Sequence, residues 1–272
     1  MHKVLFIRLF RRNAAMLSIF AGGIFGFEFL LVAIYPTLMG NSSLGIMDLG
    51  ELLEMMPDTM KSFFGGRGLA LTGLQGWLNF AFMHPIIIFL LSAFLLSVAA
   101  RSVAGEVGSG TSELLFARPV LRRTVVLTNA VYMIMTQCCL SLCAFGAIVL
   151  GHALFGIEEA LPTAALAGAA LNAAVITLAF GFFTLAVSSL TNSQERALAF
   201  GGGITFFLYI WNVITDLWNK INGLKKFGLF HYYEPGRILA GQAEPYRDFL
   251  VAGLVGLVSL AVALWVVEKR DL

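Results

Sequence analysis

Six stretches of this chain stay apolar long enough to cross a bilayer, where a helix needs roughly 20 residues to span about 30 Å of hydrocarbon. They lie at about residues 14–36, 81–101, 125–155, 162–190, 197–217 and 249–267. The third and fourth exceed a simple crossing, so either they tilt or their ends stand outside the hydrocarbon. Only residues 156–161 separate them, which predicts an antiparallel hairpin. An even number of spans puts both termini on one side. The pattern predicts an all-α polytopic membrane protein, with residues 1–272 forming one transmembrane domain.

Between the spans the polar positions are also patterned. Ile46, Leu49, Leu53, Met56, Met60 and Phe63 recur at steps of three and four, with Asp48, Glu51, Glu54, Asp58 and Lys61 mostly between them. This predicts an amphipathic outer helix between the first two spans, interrupted at Pro57. Met47, Met55, Met56 and Met60 have the chemistry of soft-metal ligands, but half of them fill the apolar stripe, the reading preferred here. The run GGRG with Gly73 and Gly76 marks a loop before Trp77. At the N-terminus, HKVLFIRLFRR mixes apolar and basic residues. It reads equally as an interfacial amphipathic lead-in or as an extension of the first span.

Composition supports a membrane reading. Hydrophobic residues make up 58% of the chain and charged residues 12%, with a mean hydropathy of +0.84. A soluble domain carries about a quarter of its residues charged. A net charge of +2 is too small to argue for nucleic acid. No A-x-A-like cleavage site follows the first apolar run, which is therefore expected to be a retained span. Cys138, Cys139 and Cys143 all fall in one apolar run; an odd, buried set is no disulfide framework, and packing of soft side chains is the expected role.

Charge also orients the spans. With the termini cytoplasmic, Lys3, Arg8, Arg11, Arg12, Arg101, Arg118, Arg122, Arg123, Arg196, Lys269 and Arg270 lie inside, which is 11 of the 18 basic residues. The longer outer loops hold the other seven together with ten carboxylates. The positive-inside rule then gives N-in, C-in. Tyr35, Trp77, Trp211, Trp218 and Tyr246 fall where an outer aromatic belt belongs.

The cytoplasmic connection after the second span, AGEVGSGTSELLFARPVLRR, nearly fits a phosphate-binding loop. Thr111 stands where that loop needs its lysine, and a span precedes it in place of a strand, so the reading fails. The same residues predict a short helix. Ser109, Thr111 or Ser112 can cap it, Glu113 suits its first turn, Leu114, Leu115 and Phe116 give it an apolar surface, and Pro119 ends it. Arg122 and Arg123 then anchor the third span. Such a helix serves either as a handle for a cytoplasmic partner or as an element lying among lipid headgroups.

GEVGSGTSELLFARPVLRRTVVLTN resembles the signature of ABC-2 type permeases, the membrane subunits of ABC transporters. Glu106, Gly110, Thr111, Glu113, Leu114, Leu115, Pro119 and Arg122 occupy the places of the pattern E-x-x-x-G-T-x-E-L-L-x-x-x-P-x-x-R. Gly105 replaces the arginine that often accompanies the first glutamate. AVSSLTNSQERALAFGGG, YYEPGRILAG and VEKRDL resemble later parts of the same family, so the likeness covers most of the chain.

The resemblance implies a half-transporter working as an exporter. Two six-helix permease subunits, identical or different, face each other, and two copies of a separate ABC ATPase bind beneath. It implies that this chain binds no cofactor itself, ATP and Mg belonging to the ATPase. Closure of the ATPases pulls on a coupling helix at 106–119, Phe116 included, and reorients the spans by alternating access. A multi-pass place in a cell membrane, the bacterial inner (cytoplasmic) membrane, is expected. Asn192, Gln194, Glu195 and Arg196 form a second possible ATPase contact or an ordinary solvated turn.

Polar residues inside the spans point toward a translocation path: Glu28, whose charge costs about 2.5–3.5 kcal/mol at mid-bilayer, and the cheaper Gln137 and Asn172, which also suit helix–helix hydrogen bonds. Gly22, Gly23 and Gly26, like Gly201, Gly202 and Gly203, allow close helix approach or hinge motion. His84 and His152 fall near span ends without partners at metal-ligand spacing. No G-x-S-x-G or H-E-x-x-H occurs, so a membrane enzyme is disfavoured. The alternative that stays open is a permease-like anchor or regulator of an ATPase, with no transport of its own.

Overall fold

The computed structural model describes residues 3–40, 57, 73–110, 121–242 and 245–270. Among them every regular element is helical. The long helices are α1 (Lys3–Gly40), α3 (Pro85–Ala100), α5 (Arg122–Leu154), α6 (Thr163–Leu190), α7 (Gln194–Leu217) and α9 (Pro245–Lys269). Shorter ones are α2 (Gly73–Met83), α4 (Ala104–Gly108) and α8 (Pro235–Leu239), with 3₁₀ turns at Asn219–Phe227 and Leu229–Tyr232. Five helices are long and apolar enough to cross a membrane, and six spans result if α2 and α3 count as one. The amphipathic helix expected at 46–63 and its methionines lie outside the described residues, Pro57 excepted.

α6 is the hub. It packs against α9, α3, α5, α7 and α8, and 72% of its most apolar window is buried, against 22% for α1. Small residues permit this closeness: Ala169, Ala173, Ala174, Ala179 and Gly181 all face neighbours, and a Cβ on Gly181 would come within 2.7 Å of Met133. α1 lies along α5. Arg122–Leu154, at 33 residues, is about 50 Å long, so its ends pass beyond the hydrocarbon.

The second span differs from expectation. Gly73 and Gly76 do not form a loop: Gly73 opens α2 at φ +69°, a conformation that suits glycine, and Gly76 lies inside it, where burial of Leu74, Trp77, Leu78, Ala81 and Phe82 offsets about 1 kcal/mol for a helical glycine. α2 and α3 then meet at a 41° bend. Pro85 has no N–H to give, and His84 is extended at φ −62°, ψ 127°, its ring accepting from Ile86 N at 3.3 Å. His84 therefore stands at a break within the span and not at its end. Ile86 N is turned away from Phe82 C=O, which instead accepts the buried Tyr233 hydroxyl at 2.6 Å. Burial, with the Glu28 carboxyl second, raises the Tyr233 pKa well above its ordinary value, so the phenol stays a donor. Tyr233→Phe is expected to cost about 1–2 kcal/mol, read as a lower unfolding midpoint in detergent. An unchanged midpoint would mean that the carbonyl has another donor.

The N-terminal residues resolve as an extension of the first span, since α1 runs unbroken from Lys3. The aromatic belt is only partly one. Tyr35 and Trp77 are 4% exposed and face inward, with Trp77 Nε1 donating to Leu31 O at 2.9 Å, while Trp218 is 60% exposed. Cys138 and Cys139 are exposed on the outer surface of α5, not buried as expected. Lipid is as apolar as the core, so hydropathy cannot separate the two faces of a span.

Ion pairs and hydrogen bonds gather both ends of the described chain at one end of the bundle, called here the basic end. Arg8 and Arg12 of α1 pair with Glu106 of α4, Arg123 of α5 pairs with Glu268 of α9, and Arg122 donates to Arg270 O. The Arg270 guanidinium in turn donates to Ser189 O at 2.7 Å and Thr191 O at 3.0 Å. At the opposite end, Glu159 of the 156–161 hairpin accepts from Tyr35 and from Leu74 N.

Candidate functional site

The segment that carries the signature leaves α3 at Ala100 and is held by one buried serine. Ser188 of α6 accepts from Ala104 N at 3.0 Å and Val103 N at 3.3 Å, and donates to Ala100 O at 3.2 Å. These amides lie in a helix-terminal turn, where the regular ladder leaves donors unpaired. The helix α4 that follows has just five residues, and Gly110, at φ +70°, ends it. The Ser109 hydroxyl bonds back to Gly105 O at 2.8 Å, and the helix that it was expected to cap lies outside the described residues.

Glu106 points inward and is 7% exposed. Its two oxygens accept from Arg12 Nη1 at 2.8 Å and Arg8 Nη2 at 3.4 Å. The opposite face of α4 meets the turn between α6 and α7. A Cβ on Gly108 would lie 3.1 Å from Asn192 O, and one on Gly105 would lie 3.6 Å from Gln194 Oε1 and 3.5 Å from the Arg101 Cβ. Glycine is required at 108 for this closeness, because there the neighbour is backbone. The described start of the signature segment, residues 104–110, and the 192–196 residues thus form one surface.

Within that second segment the turn is shorter than the sequence predicts. Gln194, Glu195 and Arg196 already belong to the first turn of α7, which Ser193 caps by accepting from Arg196 N at 3.3 Å. Ser193 also donates to Glu195 at 2.6 Å. Asn192, Glu195 and Arg196 are exposed. Arg122 opens α5 and is turned to α9. Thr111, Glu113, Leu114, Leu115, Phe116 and Pro119 lie outside the described residues.

The three polar residues expected to mark a translocation path are all buried. Glu28, Gln137 and Asn172 are each 0% exposed. Asn172 donates to Tyr232 O at 3.1 Å, a helix-to-loop tie, while its Oδ1 has no partner among the described residues. Among those residues, neither oxygen of Glu28 and neither polar atom of Gln137 has a hydrogen-bond partner. Glu28 lies near the α2–α3 break, since the neighbouring Phe27 ring packs on His84 at 5.0 Å. Gln137 stands one turn past Met133, which packs on Gly181 of α6. The expected hinge glycines also divide: Gly201 is pressed against Thr184, whereas a Cβ on Gly22, Gly23, Gly26, Gly202 or Gly203 would meet nothing within 4 Å. No metal-ligating cluster of three His, Cys, Asp or Glu occurs among the described residues.

An apolar cleft of about 380 Å³ opens between α6, α7 and α9, with Phe180, Phe183, Leu208, Phe227 and Val255 among its walls and Lys226 at its edge. A sequence scan had no means to find it, because its lining comes from three helices and two 3₁₀ turns. Ser188 was equally hidden, one of several serines and threonines in α6 whose usual partner is a carbonyl of its own helix.

None of the curated proteins compared with the chain matches it. The family model described as ABC-2 family transporter protein matches residues 26–272. That span takes in the break at His84, the Ser188 anchor, the α4 surface and all the later helices. With several membrane-crossing helices and the signature segment held at the basic end, the chain belongs to the ABC-2 family of transporter membrane proteins, as a multi-pass permease subunit.

Proposed function

We propose that this chain is the membrane half of an ABC exporter, driven through its basic end by a separate ATPase. The observation that carries the reading is how the signature segment is fastened. Ser188 ties it to α6, Glu106 ties it to α1, and Gly105 and Gly108 seat it on the start of α7. A pull on residues 106–119 therefore acts on three spans together. Glu106 acts as the joint to α1, while Glu113, Leu114, Leu115 and Phe116 supply the grip, with Asn192, Glu195 and Arg196 beside them. Termini N-in and C-in, by the excess of basic residues at this end, put that surface in the cytoplasm, in bacteria beneath the inner membrane.

Two ATPase copies, carrying ATP and Mg, serve two permease subunits. The second permease packs on α1, where Gly22, Gly23 and Gly26 are exposed and leave a flat strip. The cleft edged by Lys226 favours apolar or amphiphilic cargo.

Leu114→Asp is expected to release the ATPase, because burying that leucine contributes about 1.5–3 kcal/mol and a carboxylate there forfeits it. The check is co-purification with the ATPase encoded beside the chain, together with vanadate-sensitive ATP hydrolysis. Wild-type stoichiometry in the mutant would sink the coupling assignment. An ATPase that binds and cycles without moving any cargo would favour an anchor or regulator.

A further inference from the structure

The basic end contains a cavity beside the coupling surface. About 190 Å³ in volume, it is lined by Arg8, Arg12, Arg101, Gly105, Glu106 and Gln194, with Ser109 at its margin. Three guanidinium groups share this wall with one carboxylate, whose oxygens are already engaged by Arg8 and Arg12. Arg101 makes no ion pair among the described residues. The space exists because residue 105 is glycine: a Cβ fits there at ordinary contact distance, but a longer side chain would project toward Gln194 and fill it. The surplus of positive charge, the planar donors of arginine and the Gln194 amide match a phosphate group, which arginine binds in a bidentate manner.

The rim identifies the source of the phosphate. In the same first turns of α1, Val4 is 60% exposed, Ile7 42% and Phe10 51%. Apolar side chains bare to the surroundings beside Arg8, Arg11 and Arg12 place this level at the boundary of headgroups and acyl chains. We propose that the cavity is a binding site for the phosphate of an anionic phospholipid, whose acyl chains lie along the exposed start of α1. Occupied, it would bridge α1, the end of α3 and the start of α7, and so reinforce the ties of α4 to α1 and α7.

The test uses the delipidated permease alone, without any ATPase, titrated with phosphatidylglycerol or phosphatidylcholine and read by native mass spectrometry. Phosphatidylglycerol is expected to be retained at least about ten-fold better, from about 1 kcal/mol for each of the arginines facing it. Arg101→Ala should weaken retention about five-fold, and Gly105→Met should abolish the preference with every charge left in place. Both variants should keep the wild-type gel-filtration profile, because neither touches the Glu106 pairs. Raising salt should weaken wild-type binding. Equal phosphatidylglycerol binding by wild type and both variants would overturn the proposal. So would inorganic phosphate that competes at the lipid's own concentration, which would make this a site for soluble phosphate. Loss of ATPase capture in Arg101→Ala with lipid retention intact would also overturn it, giving the cavity to the ATPase. Because no ATPase is in the titration, failure of the coupling reading leaves this result standing.

Discussion

Replacing Ser188 with alanine is expected to lower the thermal unfolding midpoint of the purified chain by about 5–10 °C. The hydroxyl is 0% exposed and serves Val103 N, Ala104 N and Ala100 O at once. Removing it leaves two buried amides with nothing to donate to, since Val103 is 1% and Ala104 0% exposed. An unsatisfied buried group costs about 1–3 kcal/mol, which puts the pair at roughly 2–4 kcal/mol with partial relaxation. The unfolding midpoint in detergent checks this. A shift of under about 2 °C would show the turn closing on other partners and the serine to be an ordinary packing residue. ATP hydrolysis stimulated through the permease should fall along with the midpoint, because this side chain supplies the hydrogen bonds that hold the start of α4 to α6. A variant that loses stability but keeps full stimulation would locate the coupling path in the Glu106 pairs to α1 instead.

Ser188 also illustrates what a linear reading can and cannot recover. The spans were legible, because a run of apolar residues is a local property and hydrocarbon thickness sets its length. The glycine-rich stretch was legible too, as a connection that follows a span in place of a strand. The join between segment and bundle was not. Glu106 meets Arg8 and Arg12 across 98 and 94 residues, and no spacing rule reaches that far. Ser188 resembles its neighbours Ser189 and Thr184, which bond to carbonyls of their own helix at Leu185 and Phe180. The bend at His84 was hidden for another reason. Averaged hydropathy passes smoothly over Pro85, and glycines at 73 and 76 look like breakers in a linear pattern although the helix runs through them. Trp77 and Tyr35 were assigned to an aromatic belt by their height in the membrane, which sequence gives, and not by the direction they face, which packing decides.

Glu28→Leu is expected to stabilise the permease while abolishing cargo movement. The carboxyl is 0% exposed, and neither oxygen has a hydrogen-bond partner among the described residues. Leaving polar atoms unpaired in an apolar interior costs about 1–3 kcal/mol, and an apolar side chain of similar length removes that cost without opening a large cavity. The unfolding midpoint should therefore rise by several degrees, measured in the same detergent as the Ser188 variant. Glu28→Gln keeps the polar atoms and should leave the midpoint nearly unchanged, which separates relief of desolvation from a change in shape. Function is expected to move the other way. A costly group held beside the α2–α3 break, near Tyr233, is of use only when cargo or the opposing subunit supplies its missing partner. ATP-driven flux in proteoliposomes should fall at least about ten-fold in Glu28→Leu, which corresponds to loss of about 1.4 kcal/mol of interaction with whatever passes. A lower midpoint would mean that the carboxyl is already partnered within the chain. A higher midpoint with flux intact would make Glu28 a tolerated defect, and the apolar cleft edged by Lys226 would then be the better place to seek the path.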